Sequence, residues 1–166
     1  MRSGSPKDLS AVAKGRTSID MHYDGTFEVP AKKEKVYDFV TDPAKITSIF
    51  PDVQDIKVID QNTFTLKAKV GISFMKGMMD VKLSIVERNP PTFAKMKAKG
   101  NGLSSAVELE NTFTMEDAPS GPGTVVKWAA DAKVAGLMAS VGSRLIDAVA
   151  EKYVAEIIGS LKQKLS

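Results

Sequence analysis

The chain of 166 residues contains no cysteine and a single histidine, His22. The first absence excludes disulfides, thiol chemistry and thiolate metal sites. The second leaves no histidine pair for a zinc centre, so no metal is expected. A run of about 18 apolar residues is also missing, and no helix is expected to span a bilayer. The first residues carry no apolar stretch of the kind a secretory leader needs, which implies a cytoplasmic location. Charge of one sign is scarce in the body of the chain. The formal net charge of +3 comes from residues 1–18, where Arg2, Lys7, Lys14 and Arg16 face only Asp8. The other 148 residues hold 19 basic and 19 acidic side chains, and a neutral body argues against a nucleic-acid partner. The opening "MRSGSPKDLSAVAKGRTS" reads as a disordered basic tail over residues 1–18, ahead of one domain over 19–166.

What is present is alternation. In "SIDMHYDGTFEV" the residues Ile19, Met21, Tyr23, Phe27 and Val29 share one face, which predicts a strand. Two short amphipathic helices follow, one with Val36, Phe39 and Val40, the other with Ile46, Ile49 and Phe50. Asp42-Pro43 and Pro51 end them. From Val53 to Val134 strand follows strand. Phe64, Leu66, Ala68, Val70, Ile72 and Phe74 face one way; Thr65, Lys67, Lys69 and Ser73 face the other. Met79, Val81, Leu83 and Ile85 continue this pattern after a predicted turn at Lys76-Gly77. Further strands place Ala94, Met96 and Ala98 inward, then Val107, Leu109, Phe113 and Met115, then Val126, Trp128, Ala130, Ala132 and Val134. A polar outer and an apolar inner face suit an antiparallel sheet covered on one side.

The chain closes with a helix predicted from about Leu137 to Leu165. Its apolar residues recur every fourth position: Val141, Leu145, Val149, Tyr153, Ile157, Leu161 and Leu165. Each step of four overshoots a turn of 3.6 residues by about 40°, so the stripe winds around the helix. The whole predicts an α+β fold, with a strongly curved antiparallel sheet of about seven strands gripping one long helix.

This order resembles the helix-grip fold of the START and birch-pollen-allergen superfamily. The stretches "DPAKITSIFPDV", "KAKVGISFMKGMMDVKLSIVERNPP", "KAKGNG" and "KWAADAKVAGLMASVGSRLI" resemble, in order and spacing, the CoxG family of carbon monoxide dehydrogenase subunits. The resemblance runs from about Ser18 to Leu165. It departs at Pro51-Asp52, where the family often has Pro-Gly. Some relatives continue into a polar linker and an apolar anchor, and direct anchoring is not expected of a chain that stops at Ser166. The resemblance implies a non-catalytic accessory protein that serves a molybdenum-containing dehydrogenase, at most peripherally at the inner face of the cytoplasmic membrane. It also implies a cavity between sheet and helix for an apolar small molecule, lipid- or quinone-like, and no other cofactor.

The residues add to this expectation. Bulky groups on some strands and Ala94, Ala98, Ala130 and Ala132 on others would leave a void beneath the helix. Its expected lining is Leu66, Val70, Ile72, Phe74, Met79, Val81, Met96, Leu109, Asn111, Phe113, Trp128, Leu145 and Val149. Asn111 is the polar exception among inward positions. It is either a bulge with its side chain bonded to backbone, or a polar contact for a ligand head group. Three of the eight methionines, Met75, Met78 and Met79, cluster beside Gly71 and Gly77. With Ile46, Ile49 and Phe50 they are expected to form a soft apolar mouth; the rival reading is that they only fill the core. The row Lys95, Lys97, Lys99 is either a solvated face paired with Glu108 and Glu110 or a surface for an anionic partner. His22 falls on the outward phase. No inward acid–base pair is apparent, so neither a cyclase nor a hydrolase is expected.

Overall fold

The computed structural model describes residues 18–166, and the basic tail lies outside them except for Ser18, which opens the first strand. In chain order the elements are β1 (Ser18–Val29), α1 (Lys33–Thr41), α2 (Pro43–Ile46) and a 3-10 turn (Thr47–Ile49). Then come β2 (Val53–Asp60), β3 (Thr63–Ile72), β4 (Met75–Asn89), β5 (Phe93–Gly102), β6 (Ser105–Asp117) and β7 (Thr124–Gly136). A second 3-10 turn (Leu137–Val141) leads into α3 (Ser143–Lys164). The seven strands form one sheet in the order β1-β7-β6-β5-β4-β3-β2, with every neighbouring pair antiparallel. This is the α+β architecture that the alternation predicts.

The short helices are built from local signals. Pro43 starts α2, and the Asp42 side chain accepts a hydrogen bond from the Ala44 N–H at 2.9 Å. That satisfies one of the donors a helix start leaves free. Val36, Tyr37 and Val40 bury one face of α1. Arg88 on β4 donates to the Thr41 and Gln61 carbonyls and to Asn62 Oδ1, which ties the end of α1 to the β2–β3 turn.

Two boundaries differ from the sequence reading. The β3–β4 turn is Ser73-Phe74, not Lys76-Gly77, because Ile72 pairs with Met75 and Ser73 takes the positive φ of 56°. A two-residue hairpin favours such a residue, since its twist then matches the flanking strands. The long helix begins at Ser143 rather than Leu137. Gly142, at φ 93°, separates it from the preceding 3-10 turn. That backbone conformation is open to glycine and strained for other residues.

The apolar interior divides into two clusters along the strands. One gathers Phe27, Val36, Tyr37, Val40, Ile46, Ile49, Phe64, Leu66, Val126, Leu161 and Leu165 with their neighbours. The other holds Met21, Ile72, Met75, Met79, Val134, Met138, Ala139 and Ile146. Helix α3 reaches both, through Leu161 and Leu165 at its C-terminal end and Ile146 at its N-terminal end. Its closest approaches to the sheet are to β1 and β3. Those strands lie on opposite wings, so the helix bridges the concave face.

Candidate functional site

Between the clusters, the middle of the concave face is only half-buried. Leu109, Asn111 and Phe113 on β6, and Trp128, Ala130 and Ala132 on β7, all keep accessible surface. Ala98 on β5 and Val81 on β4 do as well. The register puts these side chains in rows. One runs Met96, Asn111, Ala130, Tyr23; the next runs Phe113, Trp128, Gly25; a third runs Ala98, Leu109, Ala132, Met21. Directly opposed residues point to the same face. Alanines fill the middle of two rows, so the floor is low there while Met96, Leu109, Trp128 and Tyr23 rise around it.

The polar groups of this band are few. Tyr23 Oη donates to Asp147 Oδ1 on α3 at 2.8 Å, which fixes Tyr23 on the inner face. Burial, followed by the bond to Asp147, pushes the Tyr23 hydroxyl up to about 12, so it stays protonated and donates at neutral pH. Asn111 shares the row of Tyr23, and its amide makes no hydrogen bond with the described residues. Trp128 lies across Gly25: a Cβ at that glycine would come within 2.9 Å of the indole. Its Nε1 is buried with no hydrogen-bond partner, as is the hydroxyl of Tyr37 in the first cluster.

The expected lining divides on inspection. Leu66, Ile72, Met79 and Met96 are buried in the clusters. Val70, Val81, Leu109, Asn111, Phe113, Trp128 and Val149 are half-buried. Phe74 belongs elsewhere: it sits in the hairpin turn, 74% exposed, because the turn falls three residues earlier than the alternation implied. Leu145 also points away, 43% exposed, whereas Leu161 is 1% exposed. Four steps of about 40° separate the two around the helix, so they cannot face one sheet. Ile146 packs in place of Leu145.

The expected soft mouth is not a single feature. Met75 is buried in the second cluster, while Ile46 and Ile49 are buried in the first, and Phe50 packs against the first. They lie at opposite ends of the strands. Met78 takes the outward phase, with its sulfur 3.9 Å from Gln54 Nε2. Sequence reasoning missed the Tyr23–Asp147 pair. Tyr23 was legible as inward, but its partner lies 124 residues away on the winding side of α3.

Two hollows are present among the described residues, and the second includes the Ala98, Leu109, Ala132 and Met21 row in its lining. One, of about 590 Å³, is lined by Lys35, Asp38, Phe39, Ala44, Lys45, Ser48 and Lys164, around α1, α2 and the end of α3. The other, of about 670 Å³, is lined mainly by charged residues of β1, β5, β6 and β7, among them Asp20, Lys97, Lys99, Glu108 and Glu110. There His22 stands between Asp131 and Asp24, at 2.6 and 2.8 Å. Hydrogen bonds to Asp131 and then Asp24 raise its pKa above 6.5. The outward phase of His22 is thus as expected. Among the described residues no helix is long and apolar enough to cross a membrane.

A curved antiparallel sheet with one long helix closing its concave face is the helix-grip fold of START-like domains. The chain belongs to the CoxG family of carbon monoxide dehydrogenase subunits, whose sequence model matches residues 25–166. Solved structures agree on the fold. A conserved protein from Geobacillus kaustophilus superposes with a TM-score of 0.79 at 19% identity, over 87% of this chain and 95% of that one. A START superfamily protein from Mycobacterium smegmatis gives 0.64 at 14% identity, over 87% and 96%. A norcoclaurine synthase from Thalictrum gives 0.58 at 12%, over 90% and 96%. No curated protein matches the chain.

Proposed function

We propose that this chain is a non-catalytic accessory protein that holds an apolar ligand, lipid- or quinone-like, between the middle of the sheet and α3. In this reading it serves a molybdenum-containing dehydrogenase. The observation that carries it is the half-buried band: side chains beneath a bridging helix keep accessible surface while the clusters on either side are closed. A small-molecule site usually forms on apolar side chains that the core leaves partly accessible. A quinone suits the family's setting, because such an enzyme must pass electrons on to the membrane, and the chain would act at its inner face. The test is mass spectrometry of organic extracts from protein purified from its native host. One apolar compound in near-stoichiometric amount is expected; its absence would rule the ligand out.

The relation to norcoclaurine synthase raises the question of turnover. Among the described residues, Tyr23 and Asp147 are the acid-bearing pair bonded across the band, and the raised Tyr23 hydroxyl is bound to a carboxylate. A phenol held protonated in this way is a poor general base at neutral pH. A second reading, an adaptor that recruits the enzyme without a ligand, is favoured by a different observation. Phe74, Leu137 and Leu145 are all exposed, and each adjoins a residue of the second cluster. Such a surface would dock a partner. Loss of enzyme capture on Phe74→Ser, with extracts that hold no ligand, would favour it.

A further inference from the structure

At the end of the strands away from the methionines, three helices meet around the hollow of about 590 Å³. Helix α1 contributes Lys35, Asp38 and Phe39, which stand three and four residues apart and so share a face. Helix α2 adds Ala44 and Lys45, and the last turn of α3 adds Lys164. Each helix is held from behind. Val36 and Val40 beneath α1, Ile46 beneath α2, and Leu161 and Leu165 at the end of α3 are all buried in the first cluster. The hollow is thus in place before any partner arrives.

Its charges are unmatched. Lys35, Lys45 and Lys164 are exposed, and among the described residues no hydrogen bond or ion pair engages their ammonium groups. The same holds for the Asp38 carboxylate. Other lysines have partners: Lys33 meets Asp117, Lys67 meets Asp80 and Lys127 meets Glu116. Here three cations face one anion around a half-buried aromatic ring. The carbonyl end of α3 would by itself repel an anion, but Lys162 and Lys164 in its last turn offset that.

A cationic rim about an apolar floor restricts the occupant. An inorganic anion would fill little of the space and gain nothing from Phe39 and Ala44. A nucleic-acid backbone needs an unbroken run of cations, and Asp38 interrupts this one. A small amphiphile is normally enclosed over most of its surface. Every side chain named here except Phe39 is exposed, so the hollow cannot enclose one. What fits is a stretch of protein chain with acidic side chains for the lysines and an apolar one for the ring.

We propose that the hollow between α1, α2 and the end of α3 docks an acidic segment of a partner protein, with carboxylates on Lys35, Lys45 and Lys164 and an apolar side chain between them on Phe39. Asp38 opposes any carboxylate that comes to it, so it limits which acidic segments fit. The surface is separate from the concave band and from the exposed Phe74, and it holds whether or not the band takes a ligand.

The probe is a synthetic peptide with one leucine between two pairs of acidic residues. Binding is read from the backbone amide signals of Phe39, Ala44 and Lys45 in the full chain labelled with nitrogen-15. The peptide should shift these signals. Versions with amides in place of the acids, or glycine in place of the leucine, should bind at least about threefold more weakly. Lys35→Gln, Lys45→Gln and Lys164→Gln should each weaken binding about twofold to fivefold, the span of one exposed charge pair. Asp38→Asn should tighten it by a similar factor. Lys127→Gln on β7 makes the same change of net charge and should leave binding unaltered. Equal weakening by Lys127→Gln, or no shift at up to about 5 mM peptide, would overturn the proposal. Equal affinity of the leucine and glycine peptides would overturn the seat on Phe39. If dodecanoate moved these signals and the peptide did not, the occupant would be a small amphiphile and the docking surface would fall. None of these signals reports on the concave band, so the ligand reading stands or falls separately.

Discussion

The two apolar clusters are filled by different kinds of side chain. The first is built mainly of aromatic and branched residues, with Phe64 and Val126 wholly buried and Leu161 and Leu165 nearly so. Half of the buried residues of the second are methionines: Met21, Met75, Met79 and Met138. Branched and aromatic side chains have few rotamers and hold one packing. Methionine has more, and it fills irregular space at low steric cost. One end of the domain is therefore fixed and the other can repack. The exposed Phe74, Leu137 and Leu145 gather at the adaptable end. Met75 and Met79 of the methionine-rich hairpin thus belong to a deformable core.

The comparison can be broken at its firm end first. Phe64→Ala should destabilise the domain by about 3–5 kcal/mol, because it opens a hole that branched neighbours fill poorly. Met79→Ala in the second cluster should fall in the lower part of about 2–5 kcal/mol, and Met79→Leu should cost less than about 1.5 kcal/mol. Urea unfolding followed by circular dichroism measures all three. If Met79→Ala cost as much as Phe64→Ala, the contrast between the ends would fail.

A smaller effect is expected where the band meets β1. Gly25→Ala puts a Cβ 2.9 Å from the Trp128 ring, which must then tilt. Crowding of this kind costs about 1–3 kcal/mol. The emission of the single tryptophan should change together with the melting temperature. An unchanged spectrum would mean that the indole has room to spare.

The sheet–helix contact gives a weaker and pH-dependent signal. Tyr23→Phe removes the bond to Asp147, worth about 1 kcal/mol. The Tyr23 hydroxyl titrates at about 12 in the fold against 10 in the unfolded chain. Between those values the folded state holds the extra proton, so stability falls as pH rises from 10 through 12. Tyr23→Phe should flatten that part of the pH–stability curve. The smallest effect belongs to His22, on the solvent side. Its bonds to Asp131 and Asp24 raise its pKa, so their support is full below 6.5 and lost as pH rises through the folded value. A proton NMR titration of the single imidazole should give a midpoint above 6.5, and Asp131→Asn should lower it.

The alternation of period two made the strands, their inward faces and the small floor residues legible, because a half-buried strand must alternate. Ala98, Ala130 and Ala132 could be placed beneath the helix from phase alone. Phe74 could not, since a hairpin turn ends the alternation and residues on either side no longer share a phase. Leu145 misled for a related reason: every-fourth spacing looks like a stripe, yet it drifts by about 40° at each step. The Tyr23–Asp147 contact and the unpaired Trp128 nitrogen depend on where α3 crosses the sheet, which no local pattern encodes.

Gly142 gives the helix the mechanics of a beam fixed at one end. Leu161 and Leu165, each 1% exposed, clamp the far end of α3 into the firm cluster. At the near end the chain passes through Gly142, where a Cβ would meet nothing within 4 Å, and the contacts beyond it are with the pliable cluster. A beam held in this way deflects least at its clamp and most at its free end. Displacement of the helix is therefore easiest near Ser143 and hardest near Leu161, with Ile146 and the Tyr23–Asp147 bond as the near end's ties to the sheet.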